Sequence, residues 1–157
     1  MFVGLRKNKD ILEGIQKLFM NYYNHFDIHH LGILGHSLSC MNACTEEFSI
    51  KLDELLLGNE RSDLTEMITF QILLIILKND YFCLNNAKKY YTMYKKLMNN
   101  NEIQQKQART LAKHFRIKAD RIQKLDNFKF MNEKESYEEY LNSAANDLDF
   151  YMNRTNI

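Results

Sequence analysis

Apolar residues recur every three or four positions along almost the whole chain, which is the spacing of amphipathic helices. No segment alternates for long enough to indicate a strand. The first helix, of about five turns, is indicated by one apolar side, with Asn8 as its cap. That side consists of Ile11, Ile15, Leu18, Tyr22 and Phe26.

A heptad spacing follows between Leu31 and Leu55. Its members are Leu31, Leu34, Leu38, Met41, Thr45, Phe48, Leu52 and Leu55, and it ends before Gly58. This seam predicts one helix of roughly 40 Å, in which Gly32 and Gly35 weaken the first turns. A helix longer than its neighbours needs a cover for its ends. The seam therefore predicts either a homodimer contact or burial within one chain.

The remaining helices are separated by polar breaks. Asp63-Leu-Thr-Glu66 has the form of a capping box, and it opens a stretch, 64–77, that is typical of a buried core helix and too short to span a bilayer. Further helices are predicted over 87–97, 102–115, 118–128 and 137–151, with a loop at 99–101. The sequence thus predicts an all-α, single-domain bundle of about seven helices. Residues 8–98 would form its core and dimer surface, 102–128 a basic hairpin and 134–152 a C-terminal helix.

The composition agrees with long, uninterrupted helices. The 157 residues include no Pro, the strongest helix breaker, and only five Gly. Three cysteines without a regular framework argue against a disulfide-stapled secreted module. The basic start is not followed by the apolar segment of a signal peptide. We therefore expect a cytoplasmic protein in which Cys40, Cys44 and Cys83 are reduced.

The net charge of +1 hides an asymmetry along the chain. Residues 1–84 carry a net charge of −4, residues 85–130 carry +9, and residues 131–157 carry −4. A block this basic can present a positive face to phosphates. Alternatively, its lysines form the solvated faces of surface helices and are neutralised by the acidic blocks.

Residues 108–125, within the basic block, carry a second signal for nucleic acid. Small Ala112 follows an apolar residue, and Phe115 and Ile117 flank a turn at Arg116. The remaining apolar positions are Leu111, Ile122 and Leu125. This segment resembles the helix-turn-helix of bacterial and phage DNA-binding proteins, with Arg116 where that family usually has glycine. The resemblance implies that the second helix enters the major groove of DNA.

The resemblance also implies a set of DNA-contacting residues. Toward base edges it places Lys118, Ala119, Asp120, Gln123, Lys124 and Asn127. Toward phosphates it places Arg109, Lys113 and Arg121. Asp120 would repel phosphate unless it accepts a hydrogen bond from cytosine. We therefore expect duplex DNA as the partner, with no cofactor, no metal and no catalytic residue.

Three other motifs are weaker. Gly35-His-Ser-Leu-Ser39 is similar to the nucleophile elbow of α/β-hydrolases, but it lacks the final glycine and a preceding strand. A helical stripe contains His25, His29, His36, Cys40 and Cys44, of which at most two of the last three could reach one metal ion. Arg109 and His114 have a spacing that resembles the catalytic motif of helical HEPN ribonucleases.

These observations lead to a function hypothesis with alternatives. The first is a small, non-enzymatic DNA-binding regulator of transcription. The second is a helical protein-interaction module, such as an adaptor, inhibitor or effector-type antagonist, anchored by Tyr90, Tyr91 and Tyr94. A HEPN-like ribonuclease is a lesser alternative. A continuous positive face would favour nucleic acid, whereas an exposed apolar or tyrosine patch would favour a protein partner.

Overall fold

Helices make up the regular structure of the computed structural model, which describes residues 9–58, 64–99 and 101–155. They are α1 (Lys9–Tyr22), α2 (Ile28–Cys40), α3 (Glu46–Gly58), α4 (Glu66–Lys78), α5 (Leu84–Leu97), α6 (Glu102–Lys124) and α7 (Lys134–Thr155). Short 3₁₀ turns cover Tyr23–His25 and Met131–Glu133. Their apolar faces share one core. The predicted all-α, single-domain bundle is therefore confirmed.

Helix α4 lies at the centre of the bundle, because it is apolar on all its sides. It packs against α2, α5 and α6, and each residue from Ile72 to Leu77 is buried. The predicted core helix is thus confirmed. None of the helices in the described ranges is both long and apolar enough to cross a membrane.

The start of α4 differs from the predicted capping box. Thr65 is the N-terminal cap, and its Oγ1 accepts a hydrogen bond from the Ile68 amide at 3.3 Å. The helix therefore begins at Glu66, three residues later than Asp63. Both Asp63 and the predicted first cap, Asn8, lie outside the described residues.

The predicted single helix over the Leu31–Leu55 seam is wrong, because the chain turns between α2 and α3. Asn42 has a φ of 53°, in the left-handed region that asparagine adopts more readily than most residues. Thr45 then starts α3, since its Oγ1 accepts a hydrogen bond from the Phe48 amide at 3.2 Å. Several seam residues, including Phe48 and Leu52, are buried within the monomer. A homodimer therefore has no continuous seam to pair through.

A buried glutamine from α1 fixes this turn. Gln16 donates from Nε2 to the Ala43 carbonyl at 2.8 Å, and its Oε1 accepts from the Thr45 amide at 2.8 Å. Polar backbone groups that leave water need such partners. The turn between α2 and α3 is therefore held by hydrogen bonds from α1, in which Gln16 lies 27 residues before Ala43.

The predicted helix-turn-helix hairpin is also wrong, because α6 runs through it as one helix of 23 residues. Arg116 stands where the turn was expected. Among the described non-glycine residues, only Asn42 has a positive φ. Ile117, which the hairpin would bury, is 45% exposed. A residue with a side chain, such as Arg116, adopts the left-handed conformation of the expected turn only at an energetic cost. As one continuous helix, α6 packs its apolar face against both α4 and α7.

Candidate functional site

Most of the predicted DNA-contacting residues are exposed. They are Arg109, Lys113, Gln123, Lys124 and Asn127, on α6 and the turn after it. By helical spacing, Arg109, Lys113 and Lys124 share one stripe, and Asp120 adds a negative charge to it. The surface open to phosphate is therefore less positive than the net charge of the block suggests.

Ala119 and Lys118 are the exceptions, because both are buried, and the Lys118 side chain completely so. The Lys118 ammonium group donates hydrogen bonds to the carbonyl oxygens of Ile76 and Asn79, at the C-terminal end of α4. Desolvation, together with the charge of Arg121, lowers the pKa of Lys118 to about 7. The prediction that Lys118 contacts DNA is therefore wrong. The residue caps α4 instead.

Two arginines of α6 are paired with carboxylates. Arg121 Nη2 lies 2.7 Å from Asp80 Oδ1, and Arg116 pairs with Asp149 on α7. Arg121 is thus half-buried in an ion pair, where the resemblance placed it toward phosphates. The acidic segments neutralise part of the basic block, as the alternative interpretation of the charge pattern describes.

The predicted tyrosine anchor patch is wrong, because Tyr90, Tyr91 and Tyr94 are all buried. Their hydroxyls donate hydrogen bonds to the Leu56 carbonyl at 2.7 Å, the Asp147 carboxylate at 2.6 Å and the Gln107 amide oxygen at 3.3 Å, respectively. Burial raises the pKa of Tyr90 to about 12. These tyrosines build the core around α5 rather than a surface.

Helix α1 carries apolar residues on two faces. Leu12 and Phe19 are buried in the core, whereas Leu18 is 60% exposed and Tyr22 is 53% exposed. None of the five residues on the predicted apolar side is fully buried. The sequence held the signal in adjacent apolar pairs at 11–12, 18–19 and 22–23. Neighbouring positions lie about 100° apart on a helix, so such pairs place apolar side chains on two faces.

Ile11, Ile15, Leu18 and Tyr22 form an outer apolar stripe along α1. An apolar groove lies beside this stripe, between α1 and α2. Leu12 and Ile15 line it from α1, and Leu34, Leu38 and Met41 line it from α2. Its volume is about 350 Å³. The lining also includes Ile33, which is 56% exposed. Stripe and groove together form an apolar surface that sequence reasoning did not identify.

The helical stripe of histidines and cysteines is split by the turn after α2, which separates Cys44 from His36 and Cys40. In the part of the chain that the structure describes, no three His, Cys, Asp or Glu side chains are placed to hold a metal ion. Cys40 Sγ lies 3.5 Å from His36 Nε2 and 3.2 Å from Lys78 Nζ. Ser37 of the elbow-like motif lies inside α2, where a nucleophile elbow cannot form.

Arg109 and His114, the ribonuclease-like pair, both lie on α6. Five helical positions place them about 140° apart around the axis. Arg109 is exposed and His114 is half-buried. Burial lowers the pKa of His114, and the charge of Lys78 lowers it further. The two side chains therefore do not share one face of the helix.

Comparison of the chain with protein-family models, with curated proteins and with solved structures finds no match.

Proposed function

We propose that this protein is a helical protein-interaction module whose partner presents an amphipathic helix to α1 and α2. The observation that best supports this proposal is the exposed apolar stripe on α1, which includes Leu18 and Tyr22. This stripe lies next to the apolar groove that Ile33 borders. A contiguous exposed apolar surface on a folded protein is typical of an interaction site. An adaptor or inhibitor would use such a surface without any catalytic residue.

The spacing of the stripe supports a helix as the partner's contacting element. Ile11, Ile15, Leu18 and Tyr22 are separated by four, three and four positions, the spacing at which two helices pack along a seam. Gly14 lies on the same helix, and no atom lies within 4 Å of the position that a Cβ would take there. A partner helix could therefore approach closely. Helix-in-groove recognition combines these features.

Site-specific photocrosslinking tests the proposal in the cells that naturally produce the protein. A photoreactive phenylalanine analogue replaces Leu18, or replaces Arg109 as the matched exposed control on α6. We expect one discrete adduct from position 18, none of that mass from position 109, and loss of the adduct when Ile33→Glu is added. No adduct at position 18, or the same adduct at both positions, overturns the proposal.

Light scattering at micromolar concentration distinguishes a different partner from a second copy. A mass near 18.8 kDa supports a different partner. Twice that mass, returning to the monomer value in Leu18→Glu, would show that a second copy covers the stripe, and it would overturn the proposed partner.

DNA binding is the second candidate, and the exposed stripe of Arg109, Lys113 and Lys124 favours it. Anisotropy of labelled duplex DNA at several salt concentrations tests it. If the three residues contact phosphates, replacing all three by Ala should reduce the magnitude of the slope of log affinity against log salt concentration by about three. Absent binding at low salt, or binding that ignores salt, would remove this candidate.

A further inference from the structure

Two helices bring a thiol, an imidazole and an ammonium group together at the surface. Cys40, in the last turn of α2, is exposed. Its Sγ lies 3.5 Å from Nε2 of His36, one turn earlier on α2, and it accepts a hydrogen bond from Lys78 Nζ of α4 at 3.2 Å. We call these three residues the Cys40 cluster. Nucleophilic cysteines occur in such partly exposed, positively charged surroundings.

The other two cysteines have different surroundings. Burial raises the pKa of the Cys44 thiol and of the Cys83 thiol, and Cys44 Sγ lies 3.6 Å from Ser39 Oγ. Both thiols are half-buried, and a thiol with a raised pKa contains less of the reactive thiolate. The chain thus contains its own controls for the reactivity of Cys40.

We propose that Cys40 is a site of covalent oxidation by hydrogen peroxide, which converts its thiol to a sulfenic acid. The thiolate attacks one peroxide oxygen, so that an S–O bond forms and the O–O bond breaks. The sulfur loses two electrons, and the departing hydroxide gains a proton to become water. The net change is thiol plus peroxide to sulfenic acid plus water.

Each member of the cluster has a part in this step. The Lys78 ammonium stabilises the sulfur anion and lies where it can give a proton to the departing hydroxide. Burial lowers the pKa of His36, and the Lys78 charge lowers it further, so the imidazole is neutral at pH 7. A neutral Nε2 beside Sγ can accept the thiol proton.

The size of the Lys78 effect follows from the distance. A unit charge 3.2 Å from the sulfur interacts with a negative charge there by an amount equivalent to about tenfold in a rate or an equilibrium in a water-like dielectric. A stabilised thiolate is a weaker nucleophile, which removes a factor of about three. We therefore expect Lys78→Met to slow oxidation of Cys40 about threefold.

The experiment treats the full-length protein with hydrogen peroxide, traps sulfenic acid with dimedone and locates the adduct by peptide mass spectrometry. We expect the adduct on Cys40, with Cys44 and Cys83 unlabelled until urea is added. Lys78→Met should slow labelling, while Lys78→Arg keeps the charge and the rate. Lys96→Met removes an exposed lysine near the C-terminal end of α5 and is the matched control.

Two results would overturn the proposal. One is an unlabelled Cys40 in the folded protein. The other is an equal rate in the wild type and in Lys78→Met, which would reduce the reactivity of Cys40 to simple exposure. Circular dichroism of each variant shows that it is folded, and Lys78→Arg provides a second folded variant at the same position.

Discussion

Lys118 places an ammonium group in the core, where an unpaired charge would be very costly. The carbonyls of Ile76 and Asn79 accept its hydrogen bonds and offset part of that cost. Its pKa is about 7 in the folded protein, against an ordinary value of 10.5. Between these pH values the unfolded chain binds more protons than the folded protein, so this residue makes stability rise with pH.

Lys118→Met removes the ionisable group at this position, since methionine has a similar length and does not ionise. The free energy of unfolding of the wild type should rise relative to this variant by about 2 kcal/mol between pH 7 and pH 9. Urea unfolding at both pH values measures the difference. The exposed Lys124→Met should show no such change. A constant difference between wild type and Lys118→Met would contradict the assigned pKa.

Two helical glycines should respond in opposite ways to alanine. A Cβ on Gly14 meets no atom within 4 Å, so Gly14→Ala should stabilise the protein by about 1 kcal/mol through helix propensity. A Cβ on Gly35 would lie 2.8 Å from Ile75 Cδ1 and 2.9 Å from Leu52 Cδ2. Both neighbours are buried, so Gly35→Ala should destabilise by about 1–2 kcal/mol. Thermal unfolding of both variants checks the predicted directions. Higher stability of Gly35→Ala would show that the Ile75 and Leu52 side chains move to make room for the added Cβ.

Sequence reasoning predicts exposure poorly at positions like Lys118. Charged residues are almost never fully buried unless paired, so a surface position was the natural expectation. The carbonyls that accept its hydrogen bonds lie 39 and 42 residues earlier. No local pattern contains that information. Burial of Phe19, by contrast, could have been found from the paired apolar positions on α1.

At the scale of the elements, Gln16 decides how α1, α2 and α3 meet. Replacing it by leucine leaves the Thr45 amide and the Ala43 carbonyl without the partners that Gln16 provides. We expect Gln16→Leu to destabilise the protein by about 2–3 kcal/mol. Urea unfolding measures the loss, with exposed Gln123→Leu as the control. Equal stability of the two variants would mean that the α2–α3 turn holds without α1.

The two errors in helix boundaries have one physical origin. Heptad spacing continues through Asn42 although the helix does not, and apolar spacing around Arg116 fits a turn although the helix continues. Periodicity indicates which face of a helix is apolar. It does not reveal a short non-helical break after which the apolar residues continue at the same spacing. The residue chemistry was informative at both places. Asparagine tolerates the left-handed region, and arginine does not. The core helix α4 was predictable because it is apolar on every side.

At the scale of the whole molecule, the acidic segments fold onto the basic one. Lys95 Nζ lies 2.6 Å from Asp147 Oδ2, and Lys129 Nζ lies 3.0 Å from Glu46 Oε1. Exposed ion pairs contribute little to stability. Their consequence here is a lower positive potential over α5 and α6, which weakens the argument for nucleic acid. On the apolar surface of α1 and α2, by contrast, Leu18, Tyr22 and Ile33 are each more than half exposed.

Substitutions on α1 and α2 can distinguish this surface from the core. Leu18 and Ile33 are mostly exposed, so Leu18→Glu combined with Ile33→Glu should change the free energy of unfolding by less than about 1 kcal/mol. Phe19 is the matched neighbour, and Phe19→Glu should unfold the protein because it buries a charge. Urea unfolding compares the three proteins. Strong destabilisation by the double substitution would mean that α1 uses its outer stripe for folding. Unchanged stability would show that Leu18 and Ile33 have no structural role in the monomer, as the proposed binding surface requires.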